Sequence, residues 1–146
     1  MKIDNKAVKG GILLATFGLV SFLGIIHFVF DGIEIPFKKG IIQFFIIACF
    51  INYSVSILVS QWCLKAIQLG KNPKLMGLAY TLLSLLLISI LYNLPYIIYE
   101  AFLEDILQMK HLYYLLFSAS YFFVLGFIPA VVIGIPYGLY LNDDLL

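Results

Sequence analysis

The sequence contains no arginine, and its nine basic side chains are all lysines. Acidic residues number eight, leaving a formal net charge of +1, and charged residues make up only 12% of the 146. A soluble domain carries roughly 25%, so a water-facing surface is excluded for most of the chain. With no basic patch, nucleic acid is excluded as a partner. Cysteine is scarce as well. Cys49 and Cys63 lie fourteen residues apart in one apolar stretch, about 21 Å along a helix, far beyond the roughly 7 Å Cα separation that a disulfide tolerates. They read as small packing residues. The chain has no HExxH, GxSxG, CxxC, Walker A or dinucleotide-binding glycine pattern, so none of the familiar catalytic or cofactor signatures applies and no cofactor is expected.

Hydrophobic residues, by contrast, make up 63% of the chain. A fold of this size has too much surface and too little interior to hide them from water. Charge-free windows cover 10–30, 40–64, 75–99 and 111–142, and each is long enough for the roughly 20 residues that a helix needs to cross a hydrocarbon layer. They lack the two-residue alternation of membrane strands. The sequence therefore predicts an all-α integral membrane protein, one domain over 1–146, with four transmembrane helices at about 11–30, 40–62, 75–99 and 112–140 in an antiparallel up-down bundle. The first window is longer than the apolar core of a leader peptide and reads as a membrane helix.

Lysine placement predicts the orientation. With both termini cytoplasmic, Lys2, Lys6, Lys9, Lys65, Lys71 and Lys74 lie inside and Lys38, Lys39 and Lys110 outside, as the positive-inside bias requires. The plasma membrane is the expected location. Gly70, Asn72 and Pro73 spell a stop and a restart between the second and third spans, making those spans neighbours. Pro95 predicts a bend near the outer end of the third span. Residues 100–111 have the two-sided pattern of an interfacial segment. Pro129 and Pro136 share a face of the fourth span.

Lipid tails are as apolar as leucine, so close backbone approach and a few polar contacts must hold such helices together. Small residues recur at helical spacing in Gly11, Ala15 and Gly18, and in Gly126, Ala130, Gly134 and Gly138. The second stripe serves either a contact within the bundle or docking to another copy or another protein. Asn52, Ser56 and Ser60 form a polar line on the second span. Asn52, near mid-span, is expected to face inward and find a partner, and Asn93 is expected to serve a carbonyl freed by Pro95. No Asp, Glu, Lys or Arg lies near the midplane, which excludes the simplest proton or cation relay.

Titratable residues cluster only at the outer boundary, where His27, Asp31, Glu100, Glu104 and His111 offer metal-binding donor types at short spacing; solvated helix ends are the plainer reading. Tyr92, Tyr96 and Tyr99 share a side of the third span and are candidates to line a site for an apolar ligand. The leading functional expectation is a small non-enzymatic subunit, packing against another integral membrane protein or a second copy through its glycine faces, with an assembly, stabilising or regulatory role. A small oligomeric channel or transporter for an ion, lipid or apolar compound is the first alternative. A membrane-embedded enzyme acting on a lipid is the second.

Overall fold

The structure is a computed structural model and describes residues 4–30, 32, 34–38, 41–103 and 109–143. Its described elements are all helical: α1 (Asn5–Phe30), a single 3-10 turn (Ile35–Phe37), α2 (Ile42–Gln68), α3 (Pro73–Leu91), α4 (Leu94–Leu103) and α5 (Met109–Asn142). Four of these, α1, α2, α3 and α5, are long and apolar enough to cross a membrane. Phe28, Phe50, Phe117, Val124, Ile128 and Val132 are exposed, an outer surface that suits acyl chains and not water.

Local chemistry explains the helix boundaries. Asp4 caps α1, its Oδ1 accepting from the Lys6 backbone N at 2.8 Å, so the helix starts before the apolar window does. At the other end of α2, Gly70 adopts φ +82°. There the Gly70 N donates to the Ile67 carbonyl at 2.9 Å and the Lys71 N to the Ala66 carbonyl at 3.2 Å, the paired bonds of a Schellman stop. Asn72 then caps α3 by accepting from Lys74 N at 3.0 Å and Leu75 N at 3.4 Å, with Pro73 opening the helix, where its missing N–H costs nothing.

The third apolar window divides differently from the expectation. It breaks at Tyr92 and Asn93, and Pro95 falls in the first turn of a new helix, α4, instead of bending an old one. The first turn is where proline is tolerated. Asn93 bridges the break: its backbone N turns to the Ile90 carbonyl at 3.3 Å, and its Nδ2 donates to the Ser89 carbonyl at 2.8 Å. The carbonyl it serves is thus the one its own backbone has left. Residues 104–108 of the expected interfacial segment lie outside the described residues.

Two closely packed pairs make up the structure. In the first, α3 and α5 run in opposite directions: Gly138 meets Pro73 and Gly77, Gly134 meets Leu78, and Gly126 meets Leu85. A Cβ on Gly77 would collide with the Gly134 carbonyl and the Gly138 backbone, and one on Gly138 with the Pro73 carbonyl. Backbone thus touches backbone, and dispersion replaces the absent hydrophobic drive. In the second pair, α1 and α2 are also antiparallel: Gly11 abuts Ile57, the Asn52 Nδ2 donates to the Ala15 carbonyl at 2.9 Å, and Thr16 Oγ1 lies 3.1 Å from the Tyr53 hydroxyl.

The two pairs join at the end of the structure where α1 begins and α5 finishes. Gly10 of α1 sits against Leu141 and Tyr137 of α5 and Ser60 of α2. Ala7, Leu14, Cys63, Leu64 and Ile67 complete this buried core. Cys63 is packed inside it and Cys49 is partly buried higher on α2; both are free thiols.

Candidate functional site: a cavity between the helix pairs

Past that sealed end the pairs separate and enclose a cavity of about 400 Å³, within the roughly 300–1,000 Å³ range of small-molecule sites. Leu14, Ala130 and Ile133 form its floor, and its lining reaches Pro36 and Ile41 in the connection between α1 and α2. The middle of the wall is aromatic. Phe22, Tyr92 and Phe122, from α1, the α3–α4 break and α5, stack around one another with ring centroids 6.2, 6.1 and 5.1 Å apart, a tilted arrangement that suits ring quadrupoles.

A polar strip interrupts this apolar wall: Asn52, Ser56, Thr81, Ser84 and Ser89 all line the cavity. A hydroxyl in an apolar helix normally satisfies itself on the carbonyl a turn earlier. Ser89 does so at 2.8 Å to Leu85, Thr16 at 2.8 Å to Ile12 and Ser118 at 2.6 Å to Tyr114. Ser56, Thr81 and Ser84 do not. They are 1%, 3% and 3% exposed, and none of their hydroxyl oxygens has a hydrogen-bond partner among the described residues. Thr81 and Ser84 are three apart on α3 and so share a face; Ser56 comes from α2. No Asp, Glu, Lys or His among the described residues lines the cavity.

The other residues singled out from the sequence fall into place around this geometry. The α5 stripe Gly126, Ala130, Gly134 and Gly138 faces inward, with glycine contacts to α3. Gly11 and Ala15 of the α1 stripe bind α2, while Gly18 lines the cavity with only the Asn52 Oδ1, 3.7 Å away, near its added Cβ. Ser60 lies in the sealed end. Tyr92 lines the cavity, whereas Tyr99 is exposed and packs on Phe44 at 6.2 Å; the side chain of Tyr96 is outside the described residues.

Of the outer cluster, His27 is exposed against the Phe28 ring at 5.0 Å and His111 is buried at the start of α5. Asp31, Glu104 and the side chain of Glu100 lie outside the described residues. Among the described residues no three His, Cys, Asp or Glu side chains converge.

Reading the sequence had not singled out Gly77, Thr81 or Ser84. Their signal was present: spacings of four and then three, the same as in Gly11, Ala15 and Gly18. The fold is all-helical among the described residues, with four helices long and apolar enough to span a membrane and a cavity between their two pairs. No family model, no curated protein and no solved structure matches the chain.

Proposed function

We propose that this chain is a small plasma-membrane protein that holds an apolar compound between its transmembrane helices, as a carrier or a receptor for it. Its four spans form an antiparallel up-down bundle with both termini cytoplasmic. One observation carries the reading: three residues that line an apolar cavity of ligand size have buried hydroxyls with no hydrogen-bond partner among the described residues. Leaving such a group unmet costs about 1–3 kcal/mol. Helix packing offers a cheaper solution in the preceding-turn carbonyl, the one Ser89 uses.

An assembly role is the second reading. It rested on the glycine stripes as docking faces, and contacts within the chain already occupy most of them. A partner would have to read the remaining lipid-facing surface, such as the shallow apolar groove of Ile12, Leu13, Thr16 and Val20 on α1.

Mass measurement of the intact protein released from detergent tests both readings together. The expected result is the chain carrying a bound small molecule, lost in Gly18→Phe, which fills the cavity from a position whose added Cβ has room. A foreign polypeptide in place of the small molecule would favour the subunit reading, and identical adducts in both forms would overturn the cavity reading.

A further inference from the structure

The chemistry of the wall narrows what the cavity accepts, given the reading that it binds a ligand at all. A charged headgroup brought to the level of Ser56 and Thr81 would be stripped of water with no counter-charge to meet it, since no ionisable acid, lysine or histidine among the described residues lines the cavity; bare charge in such surroundings is strongly disfavoured. A pure hydrocarbon would fit the apolar wall but leave the three hydroxyls unmet. Each of those hydroxyls can donate one hydrogen bond and accept others. They lie towards the sealed end: Ser56 and Thr81 flank the floor with Leu14 and Ile133, and Ser84 is one turn above on α3. From there to Pro36 and Ile41 the wall is mostly apolar and aromatic, and of its polar side chains Asn52 and Ser89 already donate to the Ala15 and Leu85 carbonyls.

We infer that the ligand is an uncharged lipid-like molecule with one oxygen-bearing head, an alcohol or a carbonyl. The head lies at the closed end against Ser56, Thr81 and Ser84, whose hydroxyl oxygens are closed off from the cavity in this structure and turn by a side-chain rotamer change to meet it. The apolar chain runs past Phe22, Tyr92 and Phe122 towards the α1–α2 connection. Binding is head-first, because the unpartnered hydroxyls belong to residues at the closed end and the aromatic rings lie beyond them. Selectivity follows from what is missing as much as from what is present: the deep end has hydrogen bonds to offer and no charge.

The test uses the full chain in lipid nanodiscs and a photoactivatable dodecanol, with cross-linked peptides mapped by mass spectrometry. Unlabelled dodecanol, dodecane, dodecanoate and dodecyltrimethylammonium serve as competitors. The expected result is labelling of α3 and α5 peptides that line the cavity, with dodecanol competing at least about tenfold better than dodecane and the two ions weakest of all. In Ser56→Ala/Thr81→Val/Ser84→Ala, dodecanol should lose about tenfold while dodecane is unchanged. Equal competition by dodecanol and dodecane in the native chain would overturn the head-group assignment and leave the cavity reading standing; so would dodecanoate as the best competitor. Labelling confined to the lipid-facing surface, and equal in Gly18→Phe, would overturn the cavity reading and this inference with it. The competitor series needs only the native chain, so it decides the matter even if the triple variant does not fold.

Discussion

A hydroxyl inside a membrane protein is informative only through its partner. The ordinary serine in an apolar helix disappears into the preceding turn, as Ser118 does, and so the composition of α3 does not announce that Thr81 and Ser84 behave otherwise. The difference has a measurable consequence. If these groups are held for a ligand, they are a stability cost to the ligand-stripped protein. Thr81→Val and Ser84→Ala should each stabilise the stripped chain by about 1 kcal/mol, read as a raised midpoint of unfolding in detergent. Ser89→Ala removes a satisfied bond and should be neutral or slightly destabilising. Equal effects at all three positions would mean that Thr81 and Ser84 find partners of their own. The glycines divide in the same way. Gly138→Ala drives a Cβ into the Pro73 carbonyl and should cost about 1–3 kcal/mol by parting α3 from α5. Gly24→Ala meets nothing within 4 Å and should gain up to about 1 kcal/mol from helix propensity.

At the scale of elements, the four spans and the turn between α2 and α3 were legible because their causes are local. Uninterrupted apolar windows require helices, and Gly70, Asn72 and Pro73 each have one conformational preference that suits its place. The break between α3 and α4 was only half legible. Pro95 signals a disturbance, but whether a proline bends one helix or opens another depends on whether the residues before it can end the first. Here Asn93 makes that possible by supplying a side-chain donor to the Ser89 carbonyl. Polar contacts between membrane helices average about 0.6 kcal/mol and reach about 1.7, so Asn52→Leu, which unties α2 from the Ala15 carbonyl, should fall in that range, while Asn93→Leu, which removes a local bond to the Ser89 carbonyl, should cost about 0.5–1.5 kcal/mol. The α2–α3 turn provides a sharper test of local cause. Gly70→Ala should destabilise by about 1 kcal/mol, because only glycine enters the left-handed region freely, and Gly70→Asn by less. Equal losses for both would mean that the strain lies elsewhere in the turn.

For the whole molecule, the cavity was not legible because it is the space left when particular stripes choose particular partners. The sequence displays the stripes of α1 and α5 but not the fact that Gly77 completes the second pair, and without that pairing nothing says where the helices part. The packing also brings the start of α1 and the end of α5 to one end of the structure, since Gly10 meets Leu141. Which side of the membrane that end faces is a matter of charge. Lys6, Lys9, Lys65, Lys71 and Lys74 lie at it or in the turn beside it, against Lys38 and Lys110 at the other, a bias that supports the proposed cytoplasmic placement of that end. In that proposed orientation the cavity extends from the sealed end towards the outer half of the bilayer, the leaflet from which an apolar ligand is expected to enter. Single cysteines placed in a Cys49→Ala/Cys63→Ala background test this with a membrane-impermeant maleimide on whole cells. Glu34→Cys should label at once, and Lys71→Cys and Asp143→Cys only after permeabilisation. The reverse pattern would keep the fold and move the mouth of the cavity to the inner leaflet. Labelling of Lys71→Cys and Asp143→Cys from opposite sides would break the four-span topology itself, because an even number of crossings, α3 and α5, separates those two positions.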